Sequence, residues 1–174
     1  MNWQGTWPMP ERPRRVAVAN TTPIIALALI SRLDLLQQLY GEVVVPPAVW
    51  DEILAGGPAG IGSAEVREAS WLRMTPLQDP HRADLLADLD RGEAEVITLA
   101  QELDADLVIV DERLARRHAA RLGLTLTGTL GVLLKAKERG LVSTIAPLVD
   151  QLRQGRIRLS DAVVAEALRL ANEM

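Results

Sequence analysis

Residues 92–110 read Gly-Glu-Ala-Glu-Val-Ile-Thr-Leu-Ala-Gln-Glu-Leu-Asp-Ala-Asp-Leu-Val-Ile-Val, and this stretch decides the class of fold. Its first part, residues 92–103, places apolar side chains on one face at helical spacing and predicts a helix with a buried side. Its last part, residues 107–110, is a short unbroken apolar run, which is typical of a strand buried on both faces. A helix followed by such a strand indicates a sheet that is covered by helices.

The same alternation continues on both sides of this stretch. Buried strands are predicted at residues 16–19, 43–45 and 124–127, and a less regular one at 71–74. Alternating strands and helices predict an α/β fold with a mostly parallel central sheet, in which functional residues gather at the carboxyl ends of the strands. The remaining helices are predicted at residues 24–30, 33–40, 48–54, 63–70, 112–122, 130–139, 145–154 and 160–173, with Thr22 and Ser160 as N-caps of the first and last.

The composition limits the possible functions. A chain of 174 residues, 48% of them hydrophobic, suits one domain, which we expect at residues 15–174 with a helical tail from about 145, after a flexible extension at 1–14. The absence of Cys excludes disulfides and thiolate zinc sites. A net charge of −4 argues against a nucleic-acid coat protein, but a nuclease needs only a local acidic site. No apolar run reaches the roughly 18–20 residues of a membrane span, so we expect a cytoplasmic protein.

Oxygen-bearing side chains stand near the predicted strand ends. Asn20 follows the first strand and Asp111 follows the strand at 107–110, while two nearby helices carry Asp51, Glu52 and Glu93. Carboxylate and amide oxygens are the ligands that Mg²⁺ and Mn²⁺ prefer, so the pattern predicts a site for a hard cation.

Glu93 and Asp111 also have purely structural explanations. Glu93 lies on the inward face of its helix, where a carboxylate is costly to desolvate unless it is paired or bound to metal, but it could simply complement the helix dipole. Asp111 could be the N-cap of the helix that follows it. Helical geometry alone does not choose between Asp51 and Glu52.

Taken in order, five segments make the chain resemble the PIN-domain family, and within it a VapC-like branch of toxin ribonucleases with an extended C-terminal tail. The resemblance covers about residues 16–172. It implies a three-layer α/β/α fold and Mg²⁺- or Mn²⁺-dependent hydrolysis of RNA. The segments are Val-Ala-Asn-Thr-Thr-Pro-Ile-Ile (18–25), Val-Val-Pro-Pro-Ala-Val-Trp-Asp-Glu-Ile-Leu (44–54), Gly-Glu-Ala-Glu-Val-Ile-Thr-Leu-Ala (92–100), Val-Ile-Val-Asp-Glu-Arg-Leu-Ala-Arg (108–116) and Gly-Thr-Leu-Gly-Val-Leu-Leu-Lys-Ala-Lys (128–137).

The resemblance assigns four positions to the metal site. The family's acidic ligands fall on Asn20, Glu52, Glu93 and Asp111, and the three carboxylates are the expected catalytic residues. Asn20 departs from the usual Asp: its amide oxygen can bind a metal, but it brings no charge and cannot act as a general base. We therefore expect weakened metal affinity, and a descendant that binds nucleic acid or an antitoxin without cleavage is the alternative.

Basic residues cluster after Asp111. Arg113, Arg116 and Arg117 lie on the helix that begins there, and they either hold RNA phosphates or form an ordinary solvated helix face. By resemblance we also expect a homodimer and a small antitoxin partner. A receiver-like signalling domain, with Asp111 as phosphoacceptor, is a further alternative.

Overall fold

A computed structural model describes residues 15–56 and 60–174, so the extension expected at 1–14 lies outside the described residues. Within these ranges the chain forms five strands and ten α-helices. The strands are β1 (Ala17–Ala19), β2 (Val43–Val45), β3 (Leu72–Met74), β4 (Leu107–Ile109) and β5 (Leu126–Thr127). The helices are α1 (Thr21–Leu29), α2 (Asp34–Tyr40), α3 (Pro47–Leu54), α4 (Ser63–Glu68), α5 (His81–Asp84), α6 (Arg91–Glu102), α7 (Arg113–Arg121), α8 (Thr129–Glu138), α9 (Ala146–Gln154) and α10 (Asp161–Leu170).

The five strands form one parallel sheet in the order β3-β2-β1-β4-β5. This confirms the predicted α/β class. The chain first adds β2 and β3 on one side of β1 and then adds β4 and β5 on the other side. The direction in which strands are added therefore changes between β1 and β4, and α/β proteins commonly place their ligand-binding sites at such a point. A receiver-like domain has the order 2-1-3-4-5 instead, so the observed order speaks against that alternative.

Helices cover both faces of the sheet, which gives the expected α/β/α layers. Helix α6 packs against β1 and β4, with α3 and α7 beside it, whereas α2 packs against β2 and α8. The edge strands β3 and β5 are partly exposed, whereas the side chains of β1 and β2 are all buried. Val18, Val45 and Ile109 in the three central strands are fully enclosed. Burial of both faces explains why these strands appear in the sequence as unbroken apolar runs.

No single helix in the described ranges is long and apolar enough to cross a membrane. The pair α1 and α2 meets the length and composition test together, but it is bent by 118°.

Local capping explains where several helices begin. Asp90 and Glu93 form a capping box at the start of α6, in which each side chain accepts a hydrogen bond from the backbone N–H of the other. The predicted N-cap Ser160 is confirmed, since its hydroxyl oxygen accepts from the Val163 N–H at 3.3 Å. The predicted N-cap Thr22 is wrong. Helix α1 already begins at Thr21, because Asn20 occupies the extended cap position.

Candidate active site

Oxygen atoms from three elements face Gly92 in the first turn of α6. A Cβ atom at this position would lie 3.5 Å from Glu52 Oε2, 3.6 Å from Asn20 Oδ1 and 3.5 Å from Asp90 Oδ1. The Thr21 hydroxyl donates to Glu52 Oε2 at 2.7 Å and ties α3 to the end of β1. The predicted residues Asn20 and Glu52 are therefore brought together, and the glycine leaves open the space between them.

Glu93 belongs to the same cluster. Its side chain is only 8% exposed, and Oε2 accepts from the Asp90 N–H at 3.2 Å. Burial raises the pKa of Glu93, the negative charges of Asp90, Glu112 and Glu52 raise it further, and the Asp90 N–H opposes them. Both interpretations of Glu93 thus hold at once, because the residue caps α6 and also lies among other carboxylates.

Glu112 is the site residue that sequence reasoning missed. The Asn20 side-chain amide donates to Glu112 Oε2 at 3.3 Å, and the Thr22 hydroxyl donates to Oε1 at 2.8 Å. Glu112 was expected to be the first residue of a helix, but it is the N-cap of α7 with an extended backbone. That conformation accompanies a side chain directed at β1. A capping position next to a predicted site is the only sequence signal that could have indicated it.

The Asp111 carboxylate is directed elsewhere. Its two oxygens accept from the Thr129 N–H at 2.8 Å and from the Thr129 hydroxyl at 2.6 Å, at the start of α8. Burial raises the pKa of Asp111, and the negative charge of Glu112 adds to this rise. The two hydrogen bonds from Thr129 and the positive charge of Arg116 lower the pKa and so oppose it. The alternative of Asp111 as N-cap of α7 is wrong, since Glu112 holds that position.

Gly128 makes this arrangement possible. A Cβ atom there would lie 2.5 Å from Asp111 Oδ1 and 3.2 Å from Arg116 Nη1, so a larger residue would push the carboxylate away. Asn20, Glu52 and Glu93 thus lie close together, as predicted. The carboxylate of Asp111 instead accepts hydrogen bonds from the first residue of α8.

An acidic cleft of about 500 Å³ opens in front of this cluster. Glu95, two residues after Glu93 in α6, is only 4% exposed and lies at the wall of this cleft. It accepts from the Ala48 N–H at 2.8 Å and pairs with Arg91 at 3.1 Å, so its charge is already engaged at the start of α3. The acidic cleft is lined by Pro47, Ala48, Asp51, Glu52, Asp90, Arg91, Gly92 and Glu95.

A second opening, the arginine cleft, has a volume of about 790 Å³ and lies on the other side of the β4–α7 junction. Arg116 is fixed there by donating from Nη1 to the Val110 carbonyl oxygen at 2.8 Å. Asp111 lines this cleft, whereas Glu112 is directed at Asn20 and the acidic cluster. The arginine cleft is lined by Asp111, Arg113, Arg116, Arg117, Ala120, Leu126, Thr127, Gly128, Leu130, Gly131, Arg158, Leu159, Ser160 and Val163.

The donor set suits a hard cation, although no group of three acidic or histidine side chains among residues 15–56 and 60–174 is already arranged to hold one. Asn20, Glu52, Glu93 and Glu112 offer oxygen atoms only, which is what Mg²⁺ and Mn²⁺ select. Their hydrogen-bond donors are neutral hydroxyl, amide and backbone groups, so an ion would replace weak partners. Burial and the negative charges of Asp90, Glu112 and Glu52 raise the pKa of Glu93, and a bound cation would favour its charged form.

Comparison with known proteins agrees with this geometry. A family model described as PIN domain matches residues 16–173, which is nearly all of the described chain. No curated protein sequence gives a significant match.

Proposed function

The chain belongs to the PIN-domain family, whose members are generally nucleases, and on that premise we propose that it is a metal-dependent endoribonuclease. The observation that carries the proposal is the convergence of Asn20, Glu52 and Glu93 on the open space at Gly92. These oxygens come from β1, α3 and α6 at the point where the sheet changes direction, which is where such folds place their chemistry.

The proposed site would hold Mg²⁺ or Mn²⁺ through Asn20, Glu52 and Glu93, with a carboxylate from the β4–α7 junction as the fourth ligand. The resemblance assigns that fourth position to Asp111, whereas the residue that contacts Asn20 in the structure is Glu112. When bound, a divalent ion supplies a nucleophile by lowering the pKa of its water and stabilises charge on the scissile phosphate.

The protein's own residues have separate tasks in this proposal. Glu93 is fixed by its bond to the Asp90 N–H, and Glu52 by the Thr21 hydroxyl, so neither carboxylate has to be ordered when substrate arrives. One of these two carboxylates would orient the attacking water. Arg113, Arg116 and Arg117 would bind RNA phosphates beside the site.

One observation favours a second candidate, a PIN-like module that binds nucleic acid or an antitoxin without cleavage. Asn20 replaces a carboxylate, and its amide nitrogen, not its oxygen, faces Glu112. The substitution removes one negative charge from the donor set and so lowers the attraction for a dication. Metal affinity and turnover separate the two candidates.

The biological role extends the proposal. We place the chain as the toxin of a type II toxin–antitoxin pair, working as a homodimer and inhibited by a small antitoxin. Residues 145–174, which contain α9 and α10, would then form a tail appended to the nuclease domain. Co-expression with the product of the adjacent gene, followed by copurification, tests the antitoxin. Light scattering of the purified protein tests the dimer.

Cleavage of end-labelled RNA in the presence of Mn²⁺, Mg²⁺ or EDTA tests the nuclease activity. Glu93→Gln and Glu52→Gln should each abolish metal-dependent cutting, and Asp111→Asn should do the same if its carboxylate is a ligand. Asp51→Asn is the matched control, because it removes an adjacent exposed carboxylate that does not contact Thr21, and it should reduce cutting far less. Cutting that survives EDTA, or that is equal in Glu93→Gln and wild type, would reject the proposal.

A further inference from the structure

The arginine cleft gathers three arginine side chains that have no partner among the described residues. Arg113, Arg117 and Arg158 line it, and none of their guanidinium groups forms a hydrogen bond or an ion pair with a described residue. Some other exposed arginines are paired, such as Arg153 with Asp161 at 2.6 Å and Arg169 with Glu166 at 2.6 Å. In a protein with a net charge of −4, unpaired arginines concentrated in one concavity indicate an anionic ligand.

These charges come from two separate parts of the chain. Arg113 and Arg117 are one turn apart on α7, whereas Arg158 lies between α9 and α10. The sequence therefore gives no indication that Arg158 joins them. Because the cleft lies between these elements, a ligand in it would be contacted from both α7 and the tail.

The same cleft also has an aliphatic lining. It is formed by Leu126, Leu130, Leu159 and Val163, and Val163 is 53% exposed although it is a large aliphatic residue. A cleft that combines arginines with exposed aliphatic side chains suits a single nucleic-acid strand, which offers both phosphates and unpaired base faces. A duplex buries its base faces, and proteins that bind it contact a surface of about 16 base pairs, which a cleft of about 790 Å³ does not offer.

We propose that the arginine cleft binds the backbone of single-stranded RNA, with Arg158 of the tail as a phosphate ligand together with Arg113 and Arg117. This inference rests on the proposed function, since the β4–α7 junction connects the arginine cleft to the acidic cluster. Asp111 lines the arginine cleft and the next residue, Glu112, contacts Asn20. A strand held by the arginines thus passes directly to the site of hydrolysis.

Fluorescence anisotropy with a labelled, unstructured RNA of roughly ten nucleotides tests this proposal. The titrations are made in EDTA, at salt concentrations between about 50 and 200 mM, so that binding is measured without cleavage. Arg117→Ala and Arg158→Ala are the test variants. Arg121→Ala, one turn further along α7 and outside the cleft, and Arg169→Ala, on the tail, are the matched controls. Melting temperatures verify that all four variants are folded.

Each test variant should weaken RNA binding about three- to tenfold and reduce the slope of log affinity against log salt by about 0.7, as expected for one lost phosphate contact on a single strand. The controls should bind like wild type. Unchanged binding by Arg158→Ala, or equal losses in the controls, would overturn the assignment. So would preferential binding of an RNA duplex or of a polyglutamate peptide. These titrations contain EDTA, so their result does not depend on cleavage. RNA binding in them, combined with no metal-dependent cleavage in the separate assay with end-labelled RNA, would reject the nuclease and leave the cleft assignment standing.

Discussion

Replacing Asn20 by Asp introduces the acidic residue that the resemblance leads us to expect at this position, and the structure predicts a loss of stability in EDTA that bound metal largely offsets. In EDTA the change removes the amide donor to Glu112, which lies at 3.3 Å, and puts a carboxylate in its place. The new charge also faces Glu52 across Gly92. We therefore expect Asn20→Asp to be less stable than wild type in the absence of metal.

The size of the effect follows from Coulomb's law. Two like charges about 4 Å apart repel by about 4 kcal/mol at an effective dielectric constant of about 20, and partial exposure of the site reduces this to about 2 kcal/mol. For a chain of this length 1 kcal/mol changes the melting temperature by about 2–4 °C, so a decrease of about 4–8 °C is expected in EDTA.

Bound metal should offset most of this loss of stability. A carboxylate at position 20 adds a charged ligand, and a tenfold gain in affinity adds about 1.4 kcal/mol of stabilisation at saturating Mn²⁺. Differential scanning fluorimetry across a Mn²⁺ titration measures both effects. Gln151→Glu, which adds the same charge on the exposed face of α9, is the control and should respond to neither condition. Equal melting temperatures of Asn20→Asp and wild type in EDTA, together with equal shifts in Mn²⁺, would refute the electrostatic argument.

Three further predictions concern the same site. Burial and like charges raise the pKa of Glu93 in the folded protein. Its contribution to stability is therefore complete below the unfolded pKa and is lost as pH rises through the raised folded pKa. Glu93→Gln should accordingly become more stable relative to wild type as pH rises from about 4 to 7 in EDTA, as measured by urea unfolding. Asp111→Asn should cost about 1–3 kcal/mol of unfolding free energy, because an amide keeps only one of the two oxygens that accept hydrogen bonds from Thr129. Glu112→Gln should instead lower Mn²⁺ affinity in calorimetry with little loss of stability, and the reverse result would make Asp111 the ligand. Gly92→Ala should fold as stably as wild type, since its Cβ makes only ordinary contacts, yet bind Mn²⁺ more weakly because the methyl group occupies the space that the oxygens face; unchanged affinity would show that the ion does not lie there.

Much of the fold could be predicted because its signals are local. The unbroken apolar runs that became β1, β2 and β4 identify strands buried on both faces, and their alternation with helices left a parallel sheet as the simple solution. Predicted boundaries agree with the observed ones to within a few residues, although the short helix α5 was not predicted. The exception at α1 is informative, since either Asn20 or Thr22 can cap a helix and the choice depends on which neighbour each side chain finds.

The positions of Asn20, Glu52 and Glu93 followed from the same logic. Carboxyl ends of parallel strands meet at one edge of the sheet, so residues placed after strands and at the starts of adjoining helices converge. Glu93 was recognisable because an inward-facing carboxylate needs a partner. Choosing Glu52 over Asp51 needed the family resemblance, and the structure supports it through the bond from Thr21.

By itself, the sequence determined the class of fold and the edge of the sheet that carries the candidate site, because periodicity and strand ends are properties of neighbouring residues. The same patterns indicated Asn20 and Glu93, whereas Glu52 was chosen through the family resemblance. Only the tertiary structure decided the partners of the adjacent carboxylates: Asp111 accepts hydrogen bonds from Thr129, and Glu112 accepts one from Asn20. It alone also brought Arg158 into the cleft beside α7. Both outcomes depend on which groups distant segments present to a side chain. That information lies in the packing of helices α7, α8 and α10 around the sheet, and no local pattern of residues contains it.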